Sequence, residues 1–211
     1  MAGNTMTETI DPSLPETAPS RGYDCAAIVA ALGTRSVVLI GMMGAGKSSI
    51  GRRLAGELGI SFVDADTEIE KAAGMSIPEM FEFKGEAYFR SGEARVIARL
   101  LDCGPQVLAT GGGAFMNAQT RALVRDRGVS IWLKADLEVL LRRVKRRTDR
   151  PLLKDSDPTV TLTRLLEQRD PVYAEADLTI QSRDVPHEII MSEIIAALAQ
   201  KLDVPRNEVA S

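Results

Sequence analysis

A three-layer α/β/α fold built on a five-stranded parallel sheet is what this sequence predicts, on three observations. Five short apolar runs alternate with helical patterns, and that alternation is how parallel sheets covered on both faces are built. The first and third runs, SVVLIG and QVLAT, are largely apolar, as in strands buried on both sides. A glycine loop, GMMGAGKS at 41–48, follows the first run and opens a helical pattern.

The elements follow in order. Residues 1–34 read as an N-terminal extension: a polar, Thr/Pro/Glu-bearing tail to about Arg21, expected to be disordered, then a short helix near 24–33 that starts at Asp24 and stops at Gly33. Strands are predicted at 36–41, at ISFVDAD ending on Asp64, at 106–110, at 129–135 and at DLTIQS. A helix is predicted over 47–58. Residues 67–103 are helical in pattern, with breaks at Gly74, Pro78 and Gly85. Leu137, Leu140, Leu141 and Val144 fall at i, i+3, i+4 and i+7, one face of a helix. A charged, Pro-containing stretch at 147–158 precedes a helix reaching about Tyr173, and Ile190, Ile194, Leu198 and Leu202 mark a last amphipathic helix. The two long non-strand segments are insertions on the α/β frame, and such folds bind ligands at the carboxyl ends of their strands.

Composition excludes several function classes. A net charge of −3 gives no bulk attraction to nucleic acid or anionic lipid. Cys25 and Cys103 show no metal or redox spacing, and one histidine, His187, cannot build a His-based metal site or a His dyad. A two-cysteine chain of this size suits a reduced, intracellular setting. No run approaches a membrane span, and the N-terminus lacks the basic and apolar regions of a secretory signal.

GMMGAGKS matches G-x-x-x-x-G-K-[ST] at every fixed position, in the strand-to-helix context that motif needs. Its backbone N–H groups converge on phosphate oxygens, and the following helix N-terminus adds positive potential. Gly44, Ala45, Gly46, Lys47, Ser48 and Ser49 are therefore the candidate nucleotide contacts. Lys47 is expected to reach the β- and γ-phosphates, and the Ser48 hydroxyl to ligate Mg²⁺ beside ATP. The N-K-x-D base reader of GTPases is absent. Small P-loop kinases, with a helical acceptor-binding insertion and a lid, fit the chain better.

RRVKRRTDRPLL clusters Arg142, Arg143, Lys145, Arg146, Arg147 and Arg150. Three readings compete: a phosphate-backbone contact, a solvated helix C-terminus, and a lid whose Arg150 folds over the γ-phosphate. No aromatic residue interleaves with the cluster, which weakens single-strand binding. Most of these charges are expected to be surface, with Arg150 functional and Arg143 a candidate.

With GMMGAGKS, DAD (64–66), GEAYFRSGE (85–93), TGGGA (110–114), RPLL (150–153) and QRDPVYAEAD (168–177) in this order, the chain resembles shikimate kinases over about residues 35–200. The resemblance implies a P-loop kinase fold like that of nucleoside monophosphate kinases. It implies a single domain at 35–202, with an acceptor-binding insertion at about 64–103, a lid at about 147–158 and a tail at 203–211. The implied activity is transfer of the ATP γ-phosphate to the 3-hydroxyl of shikimate, a step of aromatic amino-acid and chorismate synthesis in the cytoplasm. A monomer with small-molecule substrates, no nucleic acid and no membrane is the family expectation.

The resemblance also assigns residues. Arg90 and Arg169 match carboxylate-binding arginines, a role that suits the planar guanidinium fork. Asp66 matches the aspartate beside the attacking hydroxyl and is the candidate general base. Asp64 matches the acid near Mg²⁺, Glu93 the acid that orients Arg90, and Phe81 and Phe89 the apolar pocket walls. Arg143 and Pro186 match the pair that sandwiches adenine; Lys47 and Arg150 match the groups that stabilise the transferring phosphoryl. Gly111, Gly112 and Gly113, without a Cβ, are expected to admit the acceptor closely and form its floor.

Each residue also has a plainer reading. Asp66 suits a helix cap for a helix beginning at Thr67. Arg90 and Glu93, at i, i+3, suit a helix-surface pair. Arg169–Asp170–Pro171 suits a helix interruption, and the two phenylalanines suit core. At the level of function, a gluconate-type sugar-acid kinase and a non-catalytic ligand sensor are the competing readings.

Overall fold

The computed structural model describes residues 22–144 and 157–207. The expected tail before Gly22, most of the expected lid and Arg150 lie outside the described residues. Five strands form one parallel sheet: β1 (Ser36–Ile40), β2 (Ser61–Asp64), β3 (Gln106–Ala109), β4 (Gly128–Lys134) and β5 (Leu178–Gln181), in the order β2-β3-β1-β4-β5. Every residue of the neighbours β1 and β3 is buried, which explains why their sequences carry no polar alternation. The edge strand β2 is only partly covered.

The helices are α1 (Cys25–Leu32), α2 (Lys47–Leu58), α3 (Ala65–Ala73), α4 (Ile77–Leu101), α5 (Ala118–Arg127), α6 (Leu137–Val144), α7 (Pro158–Tyr173) and α8 (His187–Lys201), with a 3₁₀ turn at Ala114–Met116. Residues alternate between sheet faces along β1. A Cβ placed on Gly51 of α2 would meet Leu39, whereas one on Gly128, just after α5, would meet Val38. The two helices therefore cover opposite faces, which makes the three layers.

The break signals in 67–103 act in different ways. Gly74 ends α3 in a left-handed conformation. Ser76 and Glu79 form a reciprocal capping box that starts α4, with Pro78 in its first turn, where its missing N–H is harmless. Gly85 leaves helical geometry inside α4 and bends it.

The segment before β4 carries a helix that the sequence pattern does not announce. Asn117 caps α5 by accepting from the Gln119 and Thr120 N–H groups. Only Thr120 and Val124 of that helix are buried, so its apolar stripe is too thin to show a period.

Upstream of the sheet, Asp24 caps α1 and Gly33 ends it. The helix buries Ile28 and Leu32 in the common core against α2 and α8. The ends of the described chain meet there. Tyr23 pairs with Arg206 in an antiparallel bridge, and the Asn207 N–H donates to the Gly22 carbonyl at 2.8 Å.

Candidate active site

The carboxyl ends of β1, β2 and β3 each deliver one wall of a cleft of about 1240 Å³. β1 runs into the glycine loop, β2 ends on Asp64, and β3 leads through Thr110 to Gly111–Gly113. Every candidate residue of the sequence reading lines this cleft except Arg150, which is not among the described residues.

At the nucleotide end the loop geometry requires glycine. Gly41 has φ 134°, and a Cβ there would lie 2.6 Å from the Leu133 carbonyl oxygen. Gly46, at φ 98°, is the N-cap of α2. Lys47 Nζ donates to the Gly41 and Met42 carbonyls at 2.8 and 3.0 Å. Its ammonium is thus folded into the loop that leads to the phosphate cradle. The Ser48 hydroxyl donates to Asp64 Oδ2 at 2.7 Å, bringing the two expected metal ligands together.

Asp64 has a second task that corrects the plainer reading of Asp66. The α3 helix begins at Ala65, not Thr67, and Asp64 Oδ1 caps it by accepting from the Asp66 N–H at 3.1 Å. Capping therefore falls to Asp64. Asp66, in the first turn of α3, turns its carboxylate toward Gly111.

The acceptor end is a ring of charge around the second glycine run. Arg90 and Glu93 are not a surface pair. Glu93 is 3% exposed and accepts from Arg90 Nη1 at 2.9 Å, while Arg90 Nη2 reaches Glu86 at 3.0 Å. Burial pushes the Glu93 carboxyl above the ordinary glutamate value; Arg90 opposes that shift, the Asp66 charge adds to it, and Arg169 opposes it weakly. Burial works against the Arg90 charge, but its bonds to Glu93 and Glu86 more than offset this and hold its pKa above the ordinary value. Glu93 Oε1 is buried without a hydrogen-bond partner, so an unused acceptor sits at the wall of the cleft.

Arg169, 7% exposed, lies within α7, which runs unbroken through Pro171. The plainer reading of a helix interruption is thereby set aside. Its Nη1 donates to the Gly112 carbonyl at 3.0 Å. The Tyr173 hydroxyl donates to the same oxygen. Phe81 and Phe89 stack with ring centres 4.9 Å apart, and Arg90 lies over the Phe89 ring. Phe89 is buried in the core and also lines the cleft, so its two readings coincide.

The glycine floor departs from expectation in one respect. The space that a Cβ would take is filled by the protein itself. At Gly111 it would meet Glu93 Oε1 at 2.7 Å and Asp66 Oδ1 at 2.9 Å; at Gly112, Arg169 Nη1 at 3.1 Å; at Gly113 it would overlap the Arg90 guanidinium. Four charged groups converge there because no side chain intervenes.

The base end was the least legible part. Arg143 Nη1 donates to Ser182 Oγ at 2.9 Å and to the Gly44 carbonyl at 3.3 Å, and its Nη2 to the Arg183 carbonyl at 3.0 Å and Asp184 at 2.9 Å. Ser182 in turn donates to the Ala45 carbonyl at 2.7 Å. These bonds tie the segment leading to Pro186, the N-cap of α8, onto the glycine loop. Ser182, Asp184 and His187 are cleft residues that the sequence did not assign; His187 Nε2 lies 3.3 Å from Ser49 Oγ. Their signal is purely tertiary, between residues far apart in the chain.

The shikimate kinase family model matches residues 43–199. A shikimate kinase of Rhodopseudomonas palustris is 62% identical over 193 residues, 92% of this chain and 93% of that protein. One of Bradyrhizobium diazoefficiens is 66% identical over 175 residues, covering 83% and 84%. The structure of shikimate kinase from Acinetobacter baumannii in complex with shikimate superposes with a TM-score of 0.78 at 38% identity, over 82% of this chain and 97% of that one. Matched by that family model over residues 43–199 and by relatives more than 60% identical over most of both chains, the chain belongs to the shikimate kinase family.

Proposed function

We propose that this cleft transfers the γ-phosphoryl group of ATP to the 3-hydroxyl of shikimate, giving shikimate 3-phosphate and ADP in the route to chorismate and the aromatic amino acids. The observation that carries the reading is the two-ended cleft: Lys47 and the glycine loop at one end, and Arg90, Arg169, Asp66 and Glu93 around Gly111–Gly113 at the other.

The substrate is a ring with one carboxylate and three hydroxyls. Arg90 and Arg169 hold the carboxylate, because a planar guanidinium matches two carboxylate oxygens. Asp66 accepts from the ring hydroxyls and takes the proton of the attacking one. In a loose phosphoryl-transfer transition state this acceptance is mainly a matter of aim. Glu93 orients Arg90, and Phe81 and Phe89 wall the ring. Lys47 leaves the Gly41 and Met42 carbonyls for phosphate oxygens and neutralises charge as it develops. Arg150, which lies outside the described residues, shares that neutralising role. Arg143 and Pro186 enclose the adenine.

Ser48 and Asp64 fit Mg²⁺. Both offer oxygen, and Mg²⁺ is commonly held by one or two carboxylates with phosphates and water completing the shell. When bound, the ion would be held by Ser48 and Asp64 and would supply positive charge against the phosphates of the nucleotide. Among the described residues no helix is long and apolar enough to cross a membrane. A monomer working in the cytoplasm completes the reading.

A coupled assay of ADP release tests it. Rapid release with shikimate is the expected result. A preference for gluconate overturns the substrate, and tight shikimate binding with no ADP release makes the chain a sensor instead.

A further inference from the structure

We propose that Tyr173 is a positioning residue for the acceptor: its hydroxyl, together with Arg169, locks the Gly112–Gly113 peptide and so sets the floor of the acceptor end. The inference rests on the reading of that end given above.

Three glycines in succession leave a backbone for which other peptide orientations lie close in energy. The floor needs those glycines, since side chains there would displace Asp66, Glu93, Arg90 and Arg169. Something else must therefore fix the peptide planes. The Gly112 carbonyl has two lone pairs, and two donors take them: Arg169 Nη1 at 3.0 Å and the Tyr173 hydroxyl. In a trans peptide the following N–H points opposite to the carbonyl. With the Gly112 oxygen held by Arg169 and buried Tyr173, the Gly113 N–H has a fixed direction opposite to it, and Gly113 itself lines the cleft.

Tyr173 is built for this task. It is fully buried, and its ring packs against Trp132 with centres 5.9 Å apart. Burial pushes its phenol up to about 12, so the hydroxyl stays a donor at any working pH. Arg169 and Tyr173 are four residues apart on α7, neighbours on one helix face, so one rigid element presents both donors. The turn beyond the floor is tied to the same helix end. Arg121 donates to the Phe115 and Met116 carbonyls at 2.9 and 3.0 Å and pairs with Glu175 at 3.3 Å.

The test compares Tyr173→Phe, Trp132→Phe and Arg169→Ala by their Michaelis constants for both substrates. Losing one hydrogen bond of ordinary net strength is expected to raise the KM for shikimate about five- to tenfold in Tyr173→Phe. Its KM for ATP is expected to stay within about twofold, while Trp132→Phe lowers the melting temperature without separating the two constants. Both constants moving together in Tyr173→Phe, or the same separation in Trp132→Phe, reduces Tyr173 to packing. An unchanged shikimate KM in Tyr173→Phe beside a raised one in Arg169→Ala overturns this proposal alone. No change in either overturns the assignment of the acceptor end. If Tyr173→Phe does not fold, hydrogen exchange in the unsubstituted protein decides. Shikimate, and not ATP, is expected to slow the Gly113 amide, and no slowing rejects the lock.

Discussion

The two glycine runs at the carboxyl ends of β1 and β3 use the same residue for opposite reasons. Gly41, Gly44 and Gly46 all have positive φ, so the first loop needs the conformational range of glycine. Gly111, Gly112 and Gly113 have no positive φ; Gly113 sits at φ −98°, open to any residue. What the second run needs is the missing side chain. One loop bends its backbone through left-handed positions, and the other makes room for four charged side chains to meet. Two similar letter patterns thus encode a backbone requirement and a volume requirement, and only the surroundings tell them apart.

Substitutions separate the two. The largest effect belongs to the first loop's chemistry. Lys47→Ala is expected to lower turnover about 10²–10³-fold by removing charge stabilisation of the transferring group. Shikimate affinity, read by calorimetry, stays unchanged, and a near-normal rate would remove Lys47 from the reaction.

Gly113→Ala probes volume without backbone strain. Displacing Arg90 gives up a charge-assisted contact of about 1.5–3 kcal/mol, so shikimate binding weakens roughly 10–100-fold. The melting temperature should move little, and a collapse of stability with intact affinity reverses the comparison. Gly41→Ala is the mirror case. It combines a strained φ, of order 1–3 kcal/mol, with overlap on the Leu133 carbonyl. Melting should fall by about 2–4 °C for each kcal/mol in a chain of this size, and an unchanged melting point shows that the loop does not need its left-handed start.

The smallest effect is a pH dependence confined to the second run. The Glu93 pKa is raised on folding, so its contribution to stability is full below the unfolded value near 4.5 and fades as pH rises through the folded one. Glu93→Gln lacks this loss, and its stability relative to the parent should rise from pH 4 to pH 7. A flat difference in thermal melts across that range denies that burial of the charge matters.

The sequence was informative where chemistry is local. Eight residues at 41–48 marked the glycine loop between β1 and α2, apolar runs located the sheet, and Gly74 and Pro78 marked the boundary between α3 and α4. The α5 helix escaped because two buried positions make no periodic stripe. The base end escaped for a different reason: Arg143 with Ser182, and Ser49 with His187, meet across 39 and 138 positions of chain. Helical and strand periodicities report only on neighbours within a few residues. The capping of α3 by Asp64 rather than Asp66 turned on a boundary shift of two residues, finer than pattern reading resolves.

The hydrogen bond from the Asn207 N–H to the Gly22 carbonyl sets side by side two stretches of chain that flank the sheet and its helices in sequence. Where the ends of a domain lie side by side, a short linker can join them and new ends can be opened elsewhere. The join lies just ahead of α1, which packs on α2 and α8, helices whose N-termini carry Lys47 and His187. A chain spliced between those stretches and opened at an exposed loop is expected to change its order and keep its cleft.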